Sequence, residues 1–181
     1  AIQKAISINL TAPILLVRHF EKDLEKNSGH LVNISSAAGL VGVSRLSDYS
    51  AAKFGLFGFD EAMRAEWKKL GKKISTTVVC PFYLQTEMFK GAKTYCPLLL
   101  PIMNPDKAVR KILRSVAKKK KRETFFFMLW AVWFLRLLPV AFFDLVNSIF
   151  GISKSMDEFV GKKGVAQRQE SAGSADSAES A

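Results

Sequence analysis

The chain has 181 residues, of which 49% are hydrophobic and 24% are charged, and this balance indicates a globular protein rather than a disordered one. The formal net charge of +11 predicts an anionic partner. Zinc-ligand spacing and the aromatic motifs of RNA-binding domains are missing from the sequence, which argues against nucleic acid and favours a membrane surface. The two cysteines, Cys80 and Cys96, do not suggest a disulfide framework, so a reducing compartment is expected.

The first 26 residues, Ala1 to Lys26, predict one amphipathic helix. Apolar residues such as Ile6, Leu10 and Ile14 recur at helical spacing along it. Asn9 lies inside this helix, where a side-chain amide competes for backbone hydrogen bonds. On these grounds alone, Asn9 is a solvated surface residue.

The stretch from His30 to Lys53 combines a strand with the start of a helix. His30 to Ser35 is rich in branched apolar residues, as a buried parallel strand would be, and it ends at two serine hydroxyls. The segment Asp48 to Trp67 has helical spacing and carries Tyr49 and Lys53 in its first turns. Residues four apart share a helix face, so we expect the phenol and the amine to project from the same side.

This pair predicts redox chemistry on alcohols and carbonyls. A free tyrosine, with a pKa near ~10, is a poor acid or base at neutral pH, and a neighbouring ammonium stabilises its phenolate. We therefore expect Lys53 to lower the pKa of Tyr49. The hydroxyl of Ser36, thirteen residues before Tyr49, could hold a substrate oxygen while Tyr49 gives or takes a proton.

A second β-branched strand, Ile74 to Cys80, stops at Pro81, because proline has no N–H to donate to a strand ladder. The order Ser36, then Tyr49 to Lys53, then Pro81 to Thr86 resembles the signature of the short-chain dehydrogenase/reductase family. The resemblance covers the back two thirds of that family's chain. It implies an α/β fold, a Rossmann-like doubly wound parallel sheet whose N-terminal part is missing.

The resemblance also implies roles for individual residues. Tyr49 is the acid and base, Lys53 lowers its pKa and Ser36 holds the substrate oxygen. The family has an asparagine in the helix before the central strand, whose backbone carbonyl holds a water that relays protons to the lysine, and this role falls to Asn9. The residues that would contact the cofactor are Tyr49, Lys53, Pro81, the backbone of Leu84, and Thr86.

The implied cofactor is a nicotinamide nucleotide, with NAD the family-based expectation and NADP the alternative. A glycine-rich turn that would bind the pyrophosphate does not precede the first helix. We therefore expect the chain to be a fragment or a truncated product. Thr86 has a second interpretation that needs no cofactor, because threonine is also a good helix cap before Glu87.

Phe82 departs from the family pattern, which usually has glycine there. Together with the Thr-x-Met-Phe that follows, it makes the chain resemble membrane-associated retinol dehydrogenases and related lipid-droplet hydroxysteroid dehydrogenases. By that resemblance, Met88 to Met103 covers the pocket, and Ser36, Phe82, Met88 and Phe89 contact an apolar substrate. The family also implies a homodimer through the helix that carries Tyr49, with plain core packing as the alternative for its aromatic side chains.

A helix capped by Asn104 leads into a basic run, Lys118 to Arg122, and then into an apolar segment, Phe125 to Phe143, in which Arg136 is the strongly polar residue. Its 19 residues are at the lower limit for spanning a membrane. We favour insertion into a membrane surface, because Arg136 could extend to the interface and the lysines could bind anionic headgroups. A spanning helix is one alternative, and a last core helix that walls the substrate pocket is another.

The predicted organisation has three parts. Residues 1–117 form the back part of the catalytic domain, residues 118–161 form the basic run and the apolar segment, and residues 162–181 are a disordered polar tail. The predicted function is an oxidoreductase that interconverts an apolar alcohol such as retinol and its carbonyl, on the cytosolic face of the endoplasmic reticulum or a lipid droplet. A hydroxysteroid is the alternative substrate. An alternative from another class is a non-catalytic membrane or lipid-droplet protein that lacks the cofactor loop.

Overall fold

A computed structural model describes residues 2–86, 91, 94–95, 97–98, 100–125 and 127–157. Its helices are α1 (Ile2–Ile6), α2 (Ala12–Lys26), α3 (Ser47–Lys69), α4 (Pro105–Ala117), α5 (Phe127–Leu135) and α6 (Val140–Ile149). Its strands are β1 (His30–Ile34), β2 (Ser75–Cys80) and β3 (Arg122–Thr124). The shorter turns are one π-helical turn (Ser7–Thr11) and two 3-10 turns (Ala37–Gly39 and Ile152–Lys154). The tail predicted over residues 162–181 lies outside the described residues.

The three strands form one parallel sheet in the order β1-β2-β3. The register places Leu31 beside Thr76. The α/β class and the parallel pairing of the first two strands are confirmed. Each strand is one residue shorter than predicted, since β1 ends before Ser35 and β2 begins after Ile74.

Different helices cover the two faces of the sheet, because neighbouring residues of a strand point to opposite sides. On one face, Leu31 packs against Met63 and Trp67 of α3. On the other face, Val79 packs against Ala108 of α4. Both crossovers, β1-α3-β2 and β2-α4-β3, step in the same direction along the sheet, but their helices lie on opposite faces. The two connections therefore have opposite hands. One of them departs from the right-handed crossover that is usual between parallel strands.

The predicted first helix is continuous over residues 2–26 but contains the π-helical turn between α1 and α2. The N–H of Ala12 donates to the carbonyl of Ser7, five residues back. Pro13 explains part of this irregularity. In an α-helix the N–H of residue 13 would bond to the carbonyl of Asn9, and proline has no N–H to donate.

The predicted helices at Tyr49 and after Asn104 are both present. α3 begins one residue earlier and ends two residues later than the predicted Asp48 to Trp67, and it is followed by Gly71 in a left-handed conformation, with φ +69°. The side chain of Asn104 accepts hydrogen bonds from the N–H groups of Asp106 and Lys107, as the predicted cap should.

The apolar segment predicted as Phe125 to Phe143 does not form one helix. α5 and α6 are separate and short, and Pro139 occupies the cap position of α6. Among the described residues, no helix has both the length and the apolar character needed to cross a membrane. Val132 of α5 is buried in the core around Phe57, so one side of the segment belongs to the folded domain.

Candidate active site

The carboxyl ends of β1 and β2 are joined by backbone hydrogen bonds beyond the strands themselves. The N–H of Ser35 donates to the carbonyl of Val79 at 2.8 Å, and the N–H of Ala37 donates to the carbonyl of Pro81 at 2.7 Å. These bonds fix the turn that carries Ser36. They also place Pro81, a predicted cofactor contact, at this edge of the sheet.

Gly39 allows this turn to lie directly against α3. A Cβ atom at Gly39 would come within 2.5 Å of the Ser35 hydroxyl and 2.7 Å of the Lys53 carbonyl. The Ser35 hydroxyl also donates to the Lys53 carbonyl at 2.8 Å. A side chain at residue 39 would therefore push the serine turn away from the helix that carries Tyr49 and Lys53.

Ser36 and Tyr49 are brought together as predicted. The Ser36 hydroxyl accepts a hydrogen bond from the Ala38 N–H at 3.1 Å. The same hydroxyl is placed to donate to the Tyr49 phenol, an interaction that favours the phenolate. Both residues line one cleft, so the two hydroxyls can face the same substrate oxygen.

Lys53 lies one helical turn after Tyr49, with its amine 5.6 Å from the centre of the phenol ring. The amine donates to the carbonyl of Ile34 at 2.9 Å. Within the described part of the chain, Lys53 forms no ion pair. Burial lowers the pKa of this amine.

The expected effect of Lys53 on Tyr49 is not seen in this structure. Burial raises the pKa of Tyr49, and the hydrogen bond from Ser36 opposes that rise only in part. Lys53 does not offset this burial, since its amine is bonded to the carbonyl of Ile34 rather than to the phenol oxygen. At neutral pH, Tyr49 is therefore a phenol with a proton to donate.

Asn9 lies in the π-helical turn, which packs against α3. Leu10 reaches Gly55 so closely that a Cβ there would come within 2.9 Å of the leucine side chain. The Asn9 amide donates to the carbonyl of Ala5 at 3.0 Å, within its own helix. Among the described residues, no hydrogen bond joins Asn9 to Lys53, so the proton-relay role of Asn9 stays a prediction.

The segment after β2 places the remaining cofactor candidates. Leu84 pairs with Met103 in a short parallel bridge, which holds its backbone in an extended conformation. Thr86 is exposed, and its N–H donates to the carbonyl of Leu84 at 2.8 Å. Met88 and Phe89, predicted to contact substrate, lie outside the described residues.

A cleft that opens to solvent lies against Ser36 and Tyr49. Most of its wall is apolar, and Phe82 belongs to it, as predicted. Its apolar character suits a small apolar molecule. Its lining residues include Ser36, Tyr49, Phe82, Tyr83, Asn147 and Ser155.

α5 and α6 form a large part of the cleft wall. Val132 and Leu135 come from α5, and Val146 and Asn147 come from α6. The inner side of the apolar segment thus lines the cleft, and its role as a wall for substrate stays a prediction. The sequence did not single out Asn147, although a polar residue among apolar neighbours at the end of such a segment was a usable signal.

Cys80 ends β2 close to this site but is not a candidate nucleophile. The thiol is fully buried, and burial raises its pKa to about 12. At neutral pH it therefore stays protonated and unreactive.

Comparison with known proteins tests the resemblance drawn from the motif. The family model described as short chain dehydrogenase matches residues 1–95. The chain belongs to the short-chain dehydrogenase family. Epidermal retinol dehydrogenase 2 of Mus musculus is 40% identical to it over 166 residues, which cover 89% of this chain and 53% of that protein. Retinol dehydrogenase 10 of Xenopus tropicalis is 34% identical over 119 residues, which cover 64% of this chain and 35% of that protein.

A solved structure supports the fold of this short-chain dehydrogenase chain. A short-chain dehydrogenase from Burkholderia cenocepacia, in complex with NADP, superimposes with a TM-score of 0.64 at 18% identity, covering 83% of this chain and 59% of that one. The chain spans about half the length of the curated relatives that it matches. The predicted family and the Rossmann-like fold are confirmed.

Proposed function

We propose that this chain carries the acid-base centre of an oxidoreductase that interconverts an apolar alcohol and its carbonyl with a nicotinamide cofactor. The observation that supports this most strongly is that Ser36 and Tyr49 line the same apolar cleft, with the Lys53 amine buried beside the phenol. A phenol and a hydroxyl on the wall of an apolar cleft suit proton exchange at the oxygen of an apolar substrate.

The proposed roles follow from these contacts. The chemistry that a nicotinamide cofactor supplies when bound is hydride transfer at the substrate carbon. During reduction, Tyr49 donates its proton to the carbonyl oxygen, and during oxidation it accepts the hydroxyl proton. Ser36 donates a hydrogen bond to the same substrate oxygen and stabilises the negative charge that develops there.

The donors around Lys53 fit the ribose end of a nicotinamide nucleotide. A protonated lysine has three N–H donors, and the described residues use one of them, on the carbonyl of Ile34. The other two are available for ribose hydroxyls and for a proton path that includes the carbonyl of Asn9. Pro13 supports that path, since it removes the α-helical donor that this carbonyl would otherwise have.

We propose NAD as the cofactor, with NADP as the alternative. The backbone of Leu84 and the exposed hydroxyl of Thr86 are placed after β2 at the same sheet edge as Pro81, and they would contact the nicotinamide amide. Since the Burkholderia structure was solved with NADP, both nucleotides belong in the assay.

We propose retinol as the first substrate to test and a hydroxysteroid as the second. The named relatives are retinol dehydrogenases, and the cleft wall is mostly apolar. The test is turnover of retinol, retinal and a hydroxysteroid by the full-length protein with NAD and with NADP. Turnover that Ser36→Ala and Lys53→Met both reduce supports the proposal, and no turnover of any pair contradicts it.

A membrane or lipid-droplet surface, on the cytosolic face of the endoplasmic reticulum, is the proposed location. The outer side of α5, α6 and the turn between them exposes large apolar side chains, including Phe134 (73% exposed), Leu137 (82%) and Ile149 (67%). Three such side chains that each bury about 100 Å² gain roughly 25 cal/mol per Å², or several kcal/mol together. Few of the described residues of α5 and α6 are charged. We therefore propose a lipid surface, rather than a charged protein, as the partner of this outer side.

The basic run contributes less to this attachment than its sequence suggested. Arg122 binds Glu61 at 2.7 Å and Lys120 binds Glu123 at 3.0 Å. The other three lysines are exposed and form no ion pair with the described residues, so they can bind headgroups. These lysines precede β3, whereas the apolar face follows it, so the two lie at opposite ends of that strand. Arg136 does not reach towards an interface as we expected, because its guanidinium is bonded to the carbonyl of Leu40.

We retain a homodimer as a proposal but move its interface. The aromatic and sulphur side chains predicted to pair across a dimer, such as Phe57, Met63 and Trp67, are buried within this chain. The outer face of the first helix instead exposes Ile8 (58%) and Leu15 (62%), which a second copy would cover. Light scattering after chromatography should give twice the chain mass, and Leu15→Glu should give a monomer.

The alternative is a membrane-associated protein that does not catalyse a reaction. The observation in its favour is the set of large apolar side chains, such as Phe134 and Ile149, that α5 and α6 leave exposed. Adding NADH to the purified 181-residue chain and following tryptophan fluorescence separates the two. Saturable quenching at micromolar NADH supports a cofactor site in this chain, and its absence favours the alternative.

A further inference from the structure

Several polar side chains that line the cleft are already hydrogen-bonded. The Ser36 hydroxyl accepts from the Ala38 N–H at 3.1 Å. The Tyr83 hydroxyl lies 3.0 Å from that of Ser155, which in turn donates to the carbonyl of Ile152 at 2.8 Å. These three hydroxyls are therefore bonded without a ligand.

Thr94, Tyr95 and Asn147 differ from these residues, since the described part of the chain offers their side chains no hydrogen bond, and of the three only Asn147 lies on a helix. It lies on α6 as a half-buried residue of the cleft wall, beside Val146 and one turn before Phe150, which both line the cleft. Among the described residues, its amide has no hydrogen-bond partner. An amide offers two donors and an acceptor, and a rigid helix holds them in place.

This arrangement discriminates between substrates. When a ligand displaces water from an apolar cleft, an amide with no partner weakens binding, whereas a ligand that bonds to it gains affinity. A site built to bond a polar group also rejects analogues that lack the group. Retinol has a single oxygen, which the reaction at Ser36 and Tyr49 uses, and it has none left for Asn147.

We propose that Asn147 is a specificity-determining residue that hydrogen-bonds a second oxygen of the substrate. The preferred substrate class is then an apolar alcohol or ketone with another hydroxyl or carbonyl away from the reacting carbon, which includes steroids oxygenated at both ends. This inference rests on the proposed function for the identity of the reacting oxygen. The contact with the second oxygen depends only on the position of Asn147 on α6.

The test compares two ligands that share one carbon skeleton: androstanediol, with a hydroxyl at each end, and androstanol, with one. Their binding to the full-length protein is followed by tryptophan fluorescence, since Trp133 adjoins the lining residue Val132. The wild type should bind the diol about tenfold more tightly. Asn147→Leu should remove that difference without weakening the mono-ol. Ser148→Leu, at the neighbouring exposed position on α6, is the control and should preserve it.

Two results overturn the inference. One is equal affinity of the wild type for both ligands. The other is an Asn147→Leu variant whose affinity for both ligands falls by the same factor. If Asn147→Leu does not fold, Asn147→Ala replaces it with the same expectations. Because the readout is binding, it is separate from turnover. A tenfold preference for the diol in a protein that oxidises neither ligand would reject the proposed reaction and support the role of Asn147.

Discussion

The guanidinium of Arg136 donates two hydrogen bonds to the carbonyl oxygen of Leu40, from Nε at 3.2 Å and from Nη2 at 2.9 Å. It also lies 5.1 Å from the centre of the Phe54 ring and 5.3 Å from that of Phe143. Leu40 directly follows the turn that begins at Ser36. The Arg136 side chain thus connects the turn between α5 and α6 to the turn after Ser36 and to α3.

Replacing Arg136 should loosen the cleft wall while leaving the sheet intact. Arg136→Gln removes a charged hydrogen-bond donor, a kind of contact that contributes about 1.5–3 kcal/mol, together with two cation–π contacts. Hydrogen exchange in α6 should speed up, and KM should rise more than kcat falls. Arg110→Gln, at an exposed position of α4, is the matched control. Unchanged exchange in α6 would contradict the account.

Asp60 connects α3 to both long strands. Its carboxylate is fully buried and accepts hydrogen bonds from the Asn33 amide at 2.9 Å, the Thr76 hydroxyl at 3.2 Å and Arg64 at 3.3 Å. Burial nevertheless raises the pKa of Asp60. Asp60→Leu should destabilise the fold by about 1–3 kcal/mol for each donor left buried and unpaired.

The charge of Asp60 should also appear in the pH dependence of stability. Because its folded pKa is raised, the folded state binds the proton more tightly, so this contribution is present at low pH and lost as pH rises from ~3.9 through the folded pKa. Relative to Asp60→Asn, the wild type should therefore lose unfolding free energy over that window and stay level above it. Urea unfolding at several pH values measures this. A difference between the two proteins that does not change with pH would count against it.

The raised pKa of Tyr49 predicts different pH profiles for the two directions of the reaction. Oxidation needs the phenolate as base, so its kcat/KM should rise towards alkaline pH, while reduction uses the phenol and its kcat/KM should stay level below that pKa. The profiles are measured with one alcohol and its carbonyl between about pH 6 and 10. Oxidation that is independent of pH across that range would remove Tyr49 as the base.

Attachment to lipid should depend on the outer face of α5 and α6 more than on lysines. Deleting the whole apolar segment is a poor test, because Val132 is part of the core. The double substitution of Phe134 and Leu137 by Glu should instead abolish flotation with anionic vesicles, while high salt alone should weaken it only slightly. Leu113→Glu, on an exposed face of α4, is the control. If the double variant still floats, this face is not the anchor.

Local spacing was sufficient to predict that three of the candidate site residues lie close together. The positions of Ser36 at a strand end and of Tyr49 and Lys53 one turn apart depend only on strand and helix periods, and the structure brings all three together. The Arg136–Leu40 contact joins residues far apart in sequence, so no periodic pattern shows it. Asp60 was missed because acidic residues are rarely buried.

The apolar segment shows where composition alone is insufficient. A 19-residue apolar run fits a spanning helix, a surface helix or a core helix equally well, and here it forms two helices with an inner and an outer apolar side. Pro139 was the signal for the break. The raised pKa of Tyr49 was not predictable either, because burial depends on the whole fold rather than on the neighbouring charge.

The most direct test of the account is the turnover of the Tyr49→Phe variant. The full-length protein is assayed for retinal reduction with NADH and NADPH, beside Tyr95→Phe, which removes the hydroxyl of a half-exposed tyrosine on the same cleft. Removing a general acid typically costs 10²–10⁴-fold in rate, so Tyr49→Phe should lose at least about a hundredfold while Tyr95→Phe stays near the wild type. Turnover by Tyr49→Phe equal to that of the wild type would contradict the assignment.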